Sequence, residues 1–496
     1  LEEERMSNHT AIIGAGLGGL SAAIHLAAAG QHVTVLERGP IVGGKAGQVA
    51  TGGFRWDTGP TVITLKPVLA GLFAAAGRRL EDYLSLVPID PLTRYHYPDG
   101  TVLDISTSLA QTVANIERIE PRDVDGYLRF LSYAARMNRI ISPVMLYDDP
   151  PALRDLFSLS LLEMAQVDLR SMDDAIRAHV RSPYLRQLLG RFATYLGTSP
   201  YTARAYLNII AHVELTAGLW YPIGGTFQIP LAYRRLAEEL GVEIHTETPV
   251  TRIITQDGRA TGVELKDGPS IQADAVVADV DPTTVYHDLL PDLRSSARLE
   301  RWMNRPFSCS GFVMLLGIDK QHPQLAHHNI FFSSDYPAEF SAIFEHGLPP
   351  VEPTIYVAIT SKTDPDHAPP GCENWYVMVN TPPVGGAWDW EKKAAGYRDR
   401  ILDHLALLGL DVRDHIQAEH LLTPPDIERL TAAWRGSLYG HSFSGPLASF
   451  QRPKTRSPDV ERLYFAGGAT HPAGGVPMVT LSGRTAGRLV LHDSKE

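Results

Sequence analysis

The chain has 496 residues, 44% of them hydrophobic, and carries a formal net charge of -11 at pH 7. That length exceeds one small core and suits two or three subdomains, while an acidic balance without basic clusters excludes a nucleic-acid partner. The two cysteines, Cys309 and Cys372, stand far apart and suggest neither a zinc site nor a disulfide framework. They fit a reducing cytoplasm, and no apolar run reaches the ~18 residues needed to cross a membrane. The acidic start Leu1-Glu2-Glu3-Glu4-Arg5, ahead of Met6, reads as an upstream extension and not as a signal peptide.

In chain order, Thr10-Ala11-Ile12-Ile13 reads as a short buried strand, followed at once by Gly14-Ala15-Gly16-Leu17-Gly18-Gly19. A small-residue helix through Ser21–Ala29 stops at Gly30, and Val33-Thr34-Val35-Leu36 forms the next strand with Glu37 at its end. This order makes a dinucleotide site. Gly14 permits the tight strand-to-helix turn, Gly16 lets backbone approach a pyrophosphate, and Gly19 lets helix and strand pack closely. The free N–H groups at the helix start face the phosphate charge, and Glu37 stands where a carboxylate accepts ribose hydroxyls.

Instead of continuing as alternating strands and helices, the chain enters Gly43-Gly44-Lys45-Ala46-Gly47 and then Phe54-Arg55-Trp56-Asp57-Thr58-Gly59-Pro60-Thr61. Such a loop can lie along an extended ligand. A helical stretch from Thr107 to about Leu219 follows. Within it, Leu153, Leu156, Phe157, Ser160, Leu161 and Met164 make an apolar stripe preceded by Pro143–Tyr147, which suits either a core helix or one that dips into a bilayer. Gly224–Leu240 then leads to a strand at Val242–His245, a hairpin of Pro249–Ile253 with Ala260–Leu265, and a buried strand at Ala273–Asp279. Apolar strands such as Gly311–Gly317 and Thr354–Thr360 suit a substrate domain. Finally, Leu463-Tyr464-Phe465-Ala466-Gly467-Gly468 opens through Ala469–Met478 onto a helix at Ser482–Leu491, a second strand–glycine–helix unit that offers backbone N–H groups to a ligand.

Four motifs together resemble the phytoene desaturase family of bacterial carotenoid oxidoreductases, within the wider amine-oxidase-like flavoproteins. They are the N-terminal fingerprint, Asp57-Thr58-Gly59-Pro60-Thr61, Trp220-Tyr221-Pro222-Ile223-Gly224-Gly225-Thr226, and Thr470-His471-Pro472-Ala473-Gly474-Gly475-Val476-Pro477. Ser182–Gly190, Tyr195–Tyr201, Pro323–Asn329 and Pro477–Gly483 are similar to later-acting members, the hydroxyneurosporene-type desaturases and diaponeurosporene oxygenases. The resemblance implies an α/β protein: a Rossmann-like FAD-binding domain with an interleaved mixed-sheet substrate domain and a helical membrane-associating insertion. Its expected parts are residues 6–105, 224–289 and 441–496 for FAD, 106–223 for the insertion and 290–440 for substrate. FAD would be held by Gly14, Gly16, Leu17, Gly18, Gly19, Glu37, Arg38, Gly44, Lys45, Gly59, Pro60, Thr61, Val250, Gly467, Gly468, Gly475, Val476, Pro477 and Met478. Lys45 stands where many relatives have arginine, and Ala469 where wider relatives often place an acid.

The implied partners are an acyclic C30 or C40 carotenoid, the surface of the cytoplasmic membrane, and oxygen or a quinone as electron acceptor. The expected reaction is FAD-dependent desaturation. A flavin-dependent terminal oxygenase is the alternative, and a non-enzymatic prenyl-protein escort the remote one. Flavin carries the hard step, so the protein mainly supplies orientation and dryness. Candidate catalytic groups are His471, Arg154 and Asp155; Asp148 and Asp149 equally suit a solvated helix start. His327-His328 reads as a structural pair, because neighbours on a strand point to opposite faces and disfavour shared metal binding. No metal is expected.

Overall fold

The computed structural model describes residues 8–143, 146, 166–445 and 448–495. The stripe at Leu153–Met164 and the candidates Asp148, Asp149, Arg154 and Asp155 lie outside the described residues.

The first sheet is parallel, and its strands are β1 (His9–Ile13), β2 (His32–Leu36), β3 (Glu243–His245), β4 (Ala275–Ala278) and β5 (Leu463–Phe465). They lie in the order β5-β4-β1-β2-β3. Ala11, Ile12 and Val35 are fully buried, as continuous apolar runs in parallel sheets require when both faces are covered. Helix α1 (Leu17–Ala28) covers one face beside α2 (Val476–Asp493). Sequences far apart in the chain, 9–36, 243–278 and 463–493, thus build one domain, and α2 starts six residues before the expected Ser482 because Pro477 suits a first helical turn.

The second sheet has seven strands, ordered Ile416–Leu422, Ser310–Ile318, Glu373–Thr381, Ile355–Ile359, His328–Phe331, Thr93–His96 and Val102–Ile105. Its alternation is clean along Ser310–Ile318. Phe312, Met314, Leu316 and Ile318 share a core with Tyr397, Ile401 and Leu405 of the helix Trp390–Leu407. Val313 and Leu315 point the other way and join Phe54 and Trp56. The last two strands correct the expected division at residue 105. Thr93–His96 and Val102–Ile105 belong to this sheet, with Ile330 paired beside Tyr95, and not to the dinucleotide domain. Among the described residues of 106–223, helices lie at Leu109–Ile119, Val124–Ser142, Pro183–Gly190 and Ile209–Ala217, and a strand at Leu219–Pro222.

α1 and α2 approach each other closely at Gly483. A Cβ at Gly483 of α2 would lie 2.6 Å from Ser21 Cβ and 2.8 Å from Ala22 N on α1. The Ser21 hydroxyl donates to Thr480 O at 2.7 Å across the same seam. Gly483→Val should therefore destabilise the fold by about 1–3 kcal/mol or more through overpacking, read as a lower denaturation midpoint.

Candidate functional site

One cavity of about 1480 Å³ runs from the first sheet to the second. At its dinucleotide end, Gly14 turns the chain with φ 93°, and its N–H donates to Leu36 O at 2.8 Å. A Cβ at Gly14 would come within 2.9 Å of Asp279 O, and one at Gly18 within 2.8 Å of Gly467 N. Only glycine lets β1, β4 and the Gly467 loop converge on the start of α1 this tightly. Glu37 accepts the Ala15 N–H at 2.9 Å on Oε2 and the Gly39 N–H at 2.7 Å on Oε1. Its carboxylate is thereby fixed on the cavity wall beside Arg38 and Val250.

Every residue expected to hold the cofactor lines this cavity except Gly19. Gly19 serves packing instead: a side chain there would run into Gly14 O, and its N–H donates to Asp279 Oδ2 at 2.8 Å. Asp279 was not singled out by the sequence, although it closes a buried strand beside Gly14. Its carboxylate nestles among Gly16, Gly18 and Gly467 at the positive end of α1. Burial raises its pKa to about 6, and the nearby Glu37 adds to the rise. Lys45 opposes both. Its ammonium donates to Leu438 O at 2.7 Å and Ser437 O at 3.3 Å, and burial lowers its pKa to about 8 against the pull of Asp281 and Asp279.

The C-terminal glycines form the middle of the wall. Gly475, at φ 101°, opens α2, and a Cβ there would meet nothing within 4 Å. Arg452 holds this loop from within: its guanidinium donates to Gly468 O at 2.7 Å, His441 O at 2.8 Å and Tyr439 O at 3.0 Å. Burial lowers its pKa to about 10. The sequence did not reveal this residue, because its partners are carbonyls. His471 is buried and lies off the cavity wall, whereas Pro472 and Ala473 are on it.

Beyond the loop the cavity becomes an apolar chamber walled by Ile141, Leu207, Ile210, Val313, Ile330, Met378 and Phe443. His327 and His328 flank it in a way the alternation argument did not anticipate. His327 precedes its strand, so the two rings stand 4.4 Å apart at a T-shaped angle. His328 Nδ1 is 2.8 Å from the Tyr356 hydroxyl, which donates to Thr61 Oγ1 at 2.7 Å. Burial holds both histidines well below their ordinary pKa. Among the described residues no cluster of histidine, cysteine or acidic side chains could hold a metal ion.

A groove with a glycine-bounded helix start, a ribose-facing acid and an apolar chamber at its far end has the shape of a flavin site. Comparison decides the family: residues 17–491 match the flavin containing amine oxidoreductases. The chain belongs to that family. It is similar to the 4,4'-diaponeurosporene oxygenase of Staphylococcus aureus (strain MW2), 36% identical over 485 residues and covering 97% of each chain. It is likewise similar to the 4,4'-diapolycopene oxygenase of Methylomonas sp, 37% identical over 494 residues, 97% of this chain and 98% of that one. An oxidoreductase from Methanosarcina mazei shares the fold, with TM-score 0.66 at 18% identity over 98% of this chain and 100% of its own. The protein is an FAD-dependent oxidoreductase, and the cavity wall fits that cofactor: open space at Gly475, and close-packed glycines where the pyrophosphate meets α1.

Asp279 is expected to make cofactor binding depend on pH. Its carboxyl and the pyrophosphate share one helix terminus, so the charged carboxylate opposes the phosphates. FAD should bind more tightly below pH 6 and weaken as pH rises through about 6, by at most about tenfold per pH unit for one linked proton. Asp279→Asn should flatten that dependence, measured by flavin fluorescence titration of the apoprotein.

Proposed function

We propose that this chain oxidises an acyclic carotenoid at its terminal methyl group, as an FAD-dependent terminal oxygenase. The observation that carries the reading is the continuity of the FAD groove with an apolar chamber, in a chain matched end to end by two carotenoid oxygenases. Desaturation, the reaction expected from sequence, is the second reading and shares cofactor and substrate. The names of the full-length relatives favour the first.

When bound, FAD supplies two-electron oxidation chemistry that no side chain of this protein can. The protein supplies the rest. Glu37 and the start of α1 take the ribose and pyrophosphate, and Lys45 offsets their charge. The backbone from Gly474 to Met478 forms the surface against which the carotenoid end rests, and apolar residues such as Leu207, Ile210 and Phe443 exclude water from it. With His471 off the wall, proton transfer by that imidazole is not part of this reading. Converting a methyl to an aldehyde consumes one O₂ and releases one water, so oxygen serves as co-substrate and no nicotinamide is needed. Incubation with an acyclic carotenoid under ¹⁸O₂ should give a product carrying ¹⁸O at its end, read by mass spectrometry. Loss of two hydrogens without oxygen gain would transfer the assignment to desaturation.

A carotenoid resides in lipid, so we further infer that the protein works against the membrane surface. Among the described residues no helix is long and apolar enough to cross a membrane, and the apolar sequence pattern at Leu153–Met164 is the segment we assign to that contact. The protein should co-sediment with liposomes. Replacing Leu156, Phe157 and Leu161 with serine should release it to the supernatant while its flavin absorbance is retained. Loss of folded protein in that variant would assign the stripe to the core.

A further inference from the structure

Two acids follow β4, Asp279 and Asp281, and the helix terminus at Gly19 accounts for only the first. Asp281 is 7% exposed and lies on the cavity wall with Val280 and Thr284. Its Oδ1 accepts the Thr283 N–H at 2.9 Å and so caps the short turn Pro282–Thr284. Its Oδ2 is buried and has no hydrogen-bond partner. Among the described residues it is the one carboxylate oxygen left in that state. Asp281 is also the one residue among them that both carries such an atom and lines the cavity.

The cations nearby balance its charge without supplying the bond. Lys45 and Arg452 both feel the charge of Asp281. Their hydrogen bonds go to carbonyls, from Lys45 to Ser437 and Leu438, and from Arg452 to Tyr439, His441 and Gly468. A buried carboxylate oxygen without a donor is costly, so its donor has to come from what occupies the cavity. The phosphates of FAD only accept, whereas its ribityl chain and its ribose carry hydroxyls that donate. Across from Asp281, the wall from Gly467 to Met478 is built of glycine, alanine, proline, valine and methionine, and offers those hydroxyls no side-chain oxygen. Glu37 has both oxygens engaged by the N–H groups of Ala15 and Gly39.

We propose that Asp281 is a cofactor-binding residue whose Oδ2 accepts a hydrogen bond from a sugar hydroxyl of FAD, on the ribityl chain or on the ribose. The two acids after β4 then differ in role: Asp279 shares the helix end with the phosphates, and Asp281 receives the polyol. The inference needs the cofactor alone and holds for either reading of the reaction.

The test is flavin fluorescence titration of the full chain, stripped of FAD and refilled. The ligands are FAD, analogues each lacking one ribityl hydroxyl, and an analogue lacking the ribose 2′-hydroxyl. The wild type should bind one of these analogues about tenfold or more weakly than FAD, as the loss of a charge-assisted bond requires. In Asp281→Ala that same analogue should bind within about twofold of FAD. In Asp281→Asn, which keeps the cap on Thr283, the penalty should fall to about threefold, since neutral hydrogen bonds are roughly half as strong. The comparison between ligands is decisive because removing a carboxylate near the phosphates also relieves repulsion, which shifts the affinity for all of them alike. Which analogue shows the penalty assigns the hydroxyl to the ribityl chain or to the ribose. If Asp281→Ala fails to fold, Asp281→Asn decides. A wild type that binds every analogue as tightly as FAD, or a penalty undiminished in the variants, would overturn the inference and leave Oδ2 to a buried water.

Discussion

Three separate stretches of chain converge on the first turn of α1, and the rest of the molecule is arranged around that convergence. β1 delivers Gly14 to Gly19, β4 delivers Asp279, and β5 delivers Gly467, with side chains excluded where the backbones meet. The same glycines that permit this packing leave N–H groups pointing at the cavity, so close packing and anion binding are one feature and not two. Asp279 is the charged complication. It satisfies the Gly19 N–H when nothing else is near, yet its charge competes with the phosphates for the same helix end. Burial raises its pKa to about 6, so it gives up its charge more readily than a solvated carboxyl would, which eases that competition.

Around this centre the chain assigns its two sheets to different solvents. The parallel sheet faces a polar dinucleotide. The seven-stranded sheet offers one face to the helix Trp390–Leu407 and the other, through Val313, Ile330, Tyr356 and Met378, to an apolar chamber. In such a chamber every polar group stands out energetically, since it is removed from water without the return that a protein interior usually arranges. Arg452 receives that return from the carbonyls of the C-terminal loop and so stiffens the wall. Arg191 receives it from the Tyr95 hydroxyl and Glu214, and Glu339 from the hydroxyls of Thr354 and Ser333.

Much of this was legible in the sequence wherever the signal is local. Gly14–Gly19, Glu37, the Gly43–Gly47 loop and the Gly467–Met478 segment are contiguous patterns, and all but Gly19 of their expected ligand-facing residues reach the wall. What stayed hidden depends on pairing at a distance. Thr93–His96 and Val102–Ile105 alternate correctly as strands, but alternation does not say which sheet a strand joins, and Tyr95 finds Ile330 across more than two hundred residues. Arg191 and Glu214 look like ordinary surface charges on two helical segments until the fold brings them together. His471, placed by sequence beside the flavin motif, was the natural candidate for proton transfer; the turn of Pro472 and Ala473 onto the wall leaves its ring buried elsewhere.

The central claim is that FAD and a carotenoid share one cavity, close enough for electrons to pass. Rapid anaerobic mixing of the oxidised, FAD-loaded protein with an acyclic carotenoid tests it most directly. The account predicts that flavin fluorescence and absorbance are perturbed to an extent that saturates with carotenoid concentration, because the polyene end lies against the flavin, and that oxygenated product forms only when oxygen is admitted. A carotenoid that binds the protein while flavin absorbance and fluorescence stay unchanged would contradict it.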